Sequence, residues 1–284
     1  TDINNLDYKK YDVLFIFKIQ GLINAKDKNL LSMNWAKVVA WLDSPRPESI
    51  MGEDTKKINH YLWATRQLLL LESSKKLEAT HTLSEYATIF NKKPRIINSI
   101  KRGFYAGRLP KVYLDQLQEA SKHINFLCYA LTIEIGNKLI NLRDVDEYKK
   151  SKNSIINFLP DSIELHPAKN LIENHENICA SFGLVTTAEN SNKFEQIRSS
   201  CKFFDYIALG LPVLINSNIP ESIYVRKYSF LGELYNRDNL LSYKIGIKNV
   251  SLKSNFKNRK KIQDWAFKNC NWIKRSKQIS QLFY

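Results

Sequence analysis

Cysteine is scarce in this chain of 284 residues. Cys128, Cys179, Cys201 and Cys270 stand far apart with no CxxC spacing. That excludes a zinc ribbon and a disulfide framework, and it fits a reducing compartment. Long apolar runs are missing too. None, including Leu68–Leu71, approaches the roughly 20 residues needed to span a bilayer. No basic segment followed by an apolar stretch marks a secretory leader, so a cytoplasmic protein is expected. There is no repeat of fixed period and no low-complexity linker. Acidic residues are the minority, 28 against 43 lysines and arginines, which leaves a net charge of +15.

Apolar residues make up 44% and charged residues 25%, the composition of a folded globular protein. At about 100–200 residues per domain, the length predicts two domains. The positive charge implies an anionic partner: a phosphorylated substrate, a membrane surface or a nucleic acid. It is not evenly spread. Residues 251–284 carry Lys253, Lys257, Arg259, Lys260, Lys261, Lys268, Lys274, Arg275 and Lys277 against Asp264 alone. Trp265, Phe267, Trp272 and Ile273 are interspersed, the composition of a basic amphipathic element for an anionic membrane surface. Solvated lysines on a terminal helix are the plainer reading, and the two are compatible.

Short β-rich runs alternate with helical patterns. In the first hundred residues, strands are expected at 12–17, 37–42, 79–83 and 95–100, with a helix over 58–71. In the second part, strands are expected at 124–131, 154–159, 178–185 and 212–215, and helices at 114–122, 202–209 and 259–283. Such alternation predicts parallel sheets covered by helices. The basic turn Ile100-Lys101-Arg102-Gly103 is the expected boundary. It divides the chain into an abbreviated Rossmann-like domain, 1–100, and a second domain, 101–284.

The most specific stretch is Ser200-Cys201-Lys202-Phe203-Phe204-Asp205-Tyr206-Ile207-Ala208-Leu209-Gly210-Leu211-Pro212-Val213-Leu214-Ile215. It reads as a helix stopped by Gly210 in the left-handed conformation, after which Pro212 opens an apolar strand. Lys202 and Asp205 are three residues apart, near a helix N-terminus whose N–H groups attract anions. A cation, a carboxylate and free N–H groups suit a nucleotide. The bland alternative is a solvated ion pair at a helix start.

This stretch resembles the donor-binding signature of GT-B glycosyltransferases, especially the retaining glycosyltransferase family 4, related to glycogen and sucrose synthases. The family pattern runs roughly Lys-x-x-Glu-Tyr-x-Ala-x-Gly-x-Pro-Val-Ile. Here it stands as Lys202, Asp205, Tyr206, Ala208, Gly210, Pro212, Val213 and Leu214, with Asp in place of Glu. The resemblance implies an α/β fold of two Rossmann-like domains whose parallel sheets face a cleft. It implies a metal-independent hexosyltransferase with a UDP- or GDP-sugar as donor substrate and no further cofactor. Asp205 would hold the ribose. Tyr105-Ala106-Gly107-Arg108-Leu109 is similar to the turn opening the family's second domain. There Gly107 would admit the donor and Arg108 would contact its diphosphate, with Lys111 the nearest counterpart of the family lysine. Ala180-Ser181-Phe182-Gly183-Leu184-Val185 resembles the strand before the donor loop and nominates Gly183. The residues from Trp265 to Ile273 resemble the family's closing helices. Retaining members carry a further carboxylate eight positions before the ribose carboxylate. That position is Ile197 here, with Glu189 and Glu195 out of register.

On the acceptor side, Asp43 ends a strand where ligands of α/β sheets bind, and His81 follows a second strand-like run. Both are candidate acid–base residues. Asp43 could otherwise serve the Ser44-Pro45 turn, and a lone histidine is more often structural. Asp144-Val145-Asp146 mimics the metal-binding motif of another glycosyltransferase class, but it lies in a charge-rich stretch and reads as a solvated one. The expected activity is sugar transfer to a hydroxyl acceptor. A surface glycan or lipid-linked precursor, handled at the inner face of a membrane during polysaccharide synthesis, is the leading acceptor. A glycosyltransferase acting on modified phage or viral DNA comes second, and a catalytically silent GT-B-like scaffold third.

Overall fold

The computed structural model describes residues 11–43, 53–73, 79–168, 170–186 and 200–282. The chain packs into two compact units. One holds the N-terminal residues through Tyr86 together with the C-terminal residues from Arg275. The other holds the described residues between Ala87 and Lys274.

The first unit is built on four parallel strands in sequence order: β1 (Val13–Phe17), β2 (Lys37–Leu42), β3 (His60–Trp63) and β4 (Thr80–Leu83). Helix α1 (Lys18–Asp27) follows β1, and α2 (Arg66–Ser73) follows β3. A sheet wound in one direction by right-handed crossovers carries its helices on one face. Ile16, Leu22, Val38, Ala40, Leu42, Tyr61, Trp63 and Leu68 form the core on that face. The alternate residues of β1, Val13, Phe15 and Phe17, point the other way and are exposed.

The helix expected over 58–71 is a strand and a shorter helix. His60–Trp63 pairs in register between β2 and β4, and the helix starts only at Arg66. Thr65 Oγ1 accepts the Leu68 N–H at 3.1 Å, so a threonine cap splits the apolar run in two.

The second unit has a seven-stranded sheet. Its elements run β5 (Gly103–Leu109), α3 (Lys111–Ser121), β6 (Phe126–Ile135), β7 (Lys138–Asn141), α4 (Val145–Phe158), β8 (Ile163–Pro167), α5 (Leu171–Asn174) and β9 (Phe182–Val185). There follow α6 (Cys201–Ala208), β10 (Val213–Asn216), α7 (Ser222–Lys227), β11 (Gly232–Tyr235), α8 (Leu240–Leu252), α9 (Phe256–Asn269) and α10 (Trp272–Ser280). Across the sheet the order is β11-β10-β9-β5-β6-β7, with β8 also on β6. All pairings are parallel except the β6–β7 hairpin. The chain thus starts at β5 in the middle, builds outward through β6 and β8, then returns to β9 and builds the other way. The strand order reverses between β5 and β9, the point at which doubly wound sheets bind ligands.

Three further expectations change. Residues 154–158 belong to α4, with Leu159 as its C-cap, and form no strand. Asp144 caps that helix, accepting the Asp146 and Glu147 N–H groups at 3.0 Å each, which gives the acidic triplet a solvated structural role. The closing helix breaks at Cys270 and Asn271 into α9 and α10. Residues 95–100 form no strand. Instead this segment is strapped to α9: Gln263 Nε2 donates to the carbonyls of Pro94 (2.8 Å) and Ala208 (3.0 Å). Arg259, buried, donates to Gly210 O at 3.1 Å and to Ile97 O. Burial lowers its guanidinium to about 10, which leaves it charged at neutral pH.

Gly210 adopts φ +70°, the left-handed stop expected of it. A Cβ there would lie 2.9 Å from the Arg259 carbonyl oxygen, a backbone atom that cannot swing aside. Gly210→Ala should therefore cost about 1–3 kcal/mol. Denaturant melts should show the midpoint falling with an unchanged slope; an unchanged midpoint would contradict this account of the turn.

Candidate functional site

The candidate site lies at the strand-order reversal of the second unit. Strands β5 and β9 pair only at Gly103↔Phe182 and Phe104↔Gly183. Beyond that they part, since β5 continues to Leu109 with a register shift between Gly107 and Leu109. Tyr206 of α6 fills the opening. Its hydroxyl oxygen accepts the Ala106 N–H at 2.8 Å, supplying a bond that β9 no longer offers. Its ring occupies the space above Gly183, where a Cβ would meet Cδ2 at 2.2 Å. Gly183 is therefore brought to Tyr206, inside the sheet.

Lys202 is one helical turn before Tyr206 and so lies on the same face of α6. Its side chain crosses Gly107, which has φ +129°. A Cβ on Gly107 would sit 2.8 Å from Lys202 Cε. The ammonium lies 5.0 Å from the ring centroids of both Tyr105 and Tyr113. Two tyrosine faces thus hold the cation by attraction to their ring quadrupoles. The Tyr105 hydroxyl donates to Arg108 O at 2.7 Å and fixes the backbone of the irregular turn, while the Arg108 side chain is exposed. Helix α6 opens with Ser200, whose side chain makes no cap and whose N–H donates to Glu221 Oε1 at 3.0 Å; the helix has no acidic residue in its own first turn. Its N-terminal N–H groups carry a partial positive charge next to Lys202. Lys111 opens α3 with an exposed side chain. Its own N–H donates to Glu134 Oε2 at 3.0 Å, so a carboxylate already serves that helix start.

Asp205 points elsewhere. It is buried, and its Oδ1 accepts the Thr88 hydroxyl at 3.1 Å and the Ile89 N–H at 2.9 Å. The ion pair that its spacing from Lys202 allowed is not made. Burial raises its carboxyl from 3.8 to about 6, against the lowering effect of the two hydrogen bonds. The described hydrogen bonds all fall on Oδ1.

In the first unit, Asp43 follows β2 at the C-terminal edge of the sheet. It is buried, and its Oδ2 accepts the Tyr86 hydroxyl at 2.7 Å. His81 lies within β4, and alternation along the paired strands sends it to the opposite face. There its ring lies 5.4 Å from Tyr61 and 5.9 Å from Trp63, and its Nδ1 accepts the Trp63 indole N–H at 3.0 Å. The structure therefore does not bring His81 to Asp43. Ile197, Glu189, Glu195 and the Ser44-Pro45 turn lie outside the described residues.

No family model matches the sequence, and no curated protein matches it either. Solved structures do match. TarM superposes over 95% of this chain with a TM-score of 0.68 at 14% identity. The lipopolysaccharide outer core galactosyltransferase WaaB covers 95% with a TM-score of 0.59 at 9% identity. The pneumococcal O-GlcNAc transferase GtfA, solved with UDP and GlcNAc, covers 93% with a TM-score of 0.56 at 12% identity. The fold is that of the GT-B glycosyltransferases. The chain spans 54% of TarM, 74% of WaaB and 59% of GtfA.

Sequence reasoning singled out Lys202 and Gly107, which the fold brings together. It missed Tyr105 and Tyr113 as the seat of Lys202, and Thr88 and Ile89 as the partners of Asp205. Nothing in their local pattern marks them, because each contact joins residues distant in sequence. Among the described residues no three His, Cys, Asp or Glu side chains are grouped to hold a metal ion. Likewise no helix is long and apolar enough to cross a membrane.

The raised carboxyl of Asp205 has a sign. Below about pH 4 it is protonated in both folded and unfolded chains. As pH rises toward 6, the unfolded chain ionises first, so the folded chain loses up to about 3 kcal/mol of relative stability. Asp205→Asn, which keeps an oxygen acceptor, should flatten this slope in melts between pH 4 and 7. A wild-type chain whose stability does not fall over that window would refute the assignment.

Proposed function

We propose that this protein transfers a hexose from a nucleoside-diphosphate sugar, of UDP or GDP type, to a hydroxyl acceptor. The observation that carries the reading is the placement of Lys202 across Gly107 at the first turn of α6, where β5 and β9 part. A diphosphate at that edge would meet the Lys202 ammonium, the N–H groups of α6 and the exposed Arg108. These groups would stabilise the charge that builds on the leaving diphosphate as the sugar–oxygen bond breaks, a scheme that needs no metal. Gly107, having no side chain, would let the donor approach the backbone. Asp205, pinned through Oδ1, would offer Oδ2 to a ribose hydroxyl.

On the acceptor side, Asp43 is the residue proposed to take the proton of the attacking hydroxyl or to orient it. Tyr86 positions its carboxylate. The basic residues after 250 support an acceptor presented at an anionic membrane surface, a lipid-linked precursor or surface glycan.

The test is a thermal-shift screen with UDP, GDP and dTDP, followed by turnover with the corresponding sugars. One nucleotide should raise the melting temperature of the wild-type chain. Lys202→Ala should weaken that nucleotide roughly tenfold or more, through loss of a charge-assisted contact. Asp205→Ala should abolish the protection while leaving a folded chain. Nucleotide protection that persists undiminished in both variants would reject this site.

A further inference from the structure

From Lys92 to Arg102 the chain carries Lys92, Lys93, Arg95, Lys101 and Arg102 and no acid. This is the segment strapped to α9 through the carbonyls of Pro94 and Ile97. The strap leaves a cleft of about 430 Å³ beside α9, lined by Arg95, Ile96, Asn98, Phe256, Lys260 and Gln263. Sites for small organic groups occupy about 300–1,000 Å³, so the cleft is large enough for one.

Its lining holds two cations and no carboxylate. Arg95 and Lys260 are exposed, and among the described residues neither side chain makes a hydrogen bond or an ion pair. The Asn98 amide is equally without a partner. The one acid of α9, Asp264, is occupied by Lys93 at 2.6 Å and neutralises nothing in the cleft. Two like charges in one cleft repel each other, and an anion between them turns that repulsion into attraction. A guanidinium fork beside an ammonium matches the oxygens of a phosphate.

The apolar part of the lining narrows the ligand further. Phe256, the first residue of α9, is 64% exposed at the cleft, and Ile96 borders it too. Leu252, the last residue of α8, is 72% exposed. Leu241 and Ile245, also exposed, share its face of α8 at helical spacing, and Lys244 and Lys248 stand among them. Exposed apolar side chains among unpaired cations are the mark of a surface that rests on anionic lipid, with charges at the headgroups and apolar groups in the acyl boundary.

We propose that this cleft binds the phosphate of an anionic lipid headgroup. Arg95 and Lys260 take the phosphate oxygens, the Asn98 amide donates to the headgroup, and Phe256 enters the acyl boundary. This names the contact behind the membrane presentation proposed above and rests on that reading. The cleft stands apart from the donor groups. Gln263 and Arg259 fasten α9 to Ala208 and Gly210 at the end of α6, whereas Lys202 is in its first turn. The eight residues of α6 put about 12 Å between those ends, so lipid and nucleotide do not compete.

The experiment sediments the full chain with vesicles of phosphatidylcholine, with and without phosphatidylglycerol, while UDP protection is measured by thermal shift. The wild-type chain should bind the anionic vesicles and not the neutral ones. Arg95→Gln combined with Lys260→Gln should weaken that binding about tenfold or more. Lys257→Gln combined with Lys268→Gln, the same charge loss on α9 outside the cleft lining, should weaken it by no more than about threefold. The first pair should keep the wild-type melting temperature and UDP protection, since both side chains are exposed and unpaired; Arg95→Lys should retain most of the vesicle binding. Phe256→Ser should weaken it roughly fivefold, and glycerol phosphate, which lacks acyl chains, should not displace the chain from the vesicles. Equal losses in the two double variants would overturn the cleft and leave general attraction to a +15 chain. Displacement by glycerol phosphate, with Phe256→Ser binding like wild type, would assign the cleft to a soluble phosphate and overturn the lipid. Absence of binding to anionic vesicles would overturn it as well. Vesicle binding that depends on Arg95 and Lys260 in a chain that no nucleotide protects would uphold the cleft and reject the donor reading, so the two failures are distinguishable.

Discussion

Tyr206 is the residue on which the opening between β5 and β9 depends. A parallel sheet that opens between two strands leaves backbone N–H groups without partners, and a buried orphan N–H costs on the order of 1–3 kcal/mol. The Tyr206 hydroxyl removes that cost at Ala106, and its ring fills the volume that Gly183 vacates. Because both ends of the side chain are fixed, α6 is held in one rotational setting over the sheet. Lys202, on the same face, is thereby aimed at Gly107. Two residues of one motif and a glycine from another strand thus become a vertical stack: Gly183 below, Tyr206 as spacer, Lys202 at the rim.

The same helix shows how two charges three residues apart can serve unrelated ends. Lys202 is half-buried at the strand ends and seated on two tyrosine rings. Asp205, one turn further on, is buried against the segment at 88–89. Helical spacing made them neighbours in principle. The competition was decided by hydrogen-bond donors: Thr88 and Ile89 offer two good partners in a buried place, which outweigh a surface ion pair worth about 0.2–1 kcal/mol.

Much of this was legible in the chain itself. The strands at 13–17, 37–42, 80–83 and 213–216 follow from apolar runs bounded by glycine, proline or charge, and Gly210 announced its left-handed stop. The short first sheet was also readable, although β3 took the place of the strand expected at 95–100. His60–Trp63 deceived because its apolar run is continuous with that of α2, and only pairing on both sides makes it a strand. Residues 154–159 deceived for the opposite reason: Asp144 starts a helix ten residues earlier that simply runs through them. At the site, the motif indicated which residues gather but not what supports them. The tyrosine seat of Lys202 and the clamps of Arg259 and Gln263 join segments up to 169 residues apart, a separation that no local pattern encodes.

The bond between Asp205 and Thr88 bears on how such chains vary. The related pattern carries glutamate where this chain has the shorter aspartate. With one oxygen, the shorter acid reaches both Thr88 Oγ1 at 3.1 Å and Ile89 N at 2.9 Å, and an added methylene would displace that oxygen from its two donors unless the side chain rearranged. Position 205 and position 88 are therefore a coupled pair. In homologues the longer acid should be accompanied by a smaller or retracted residue at 88, so that the two columns drift together while their neighbours change independently.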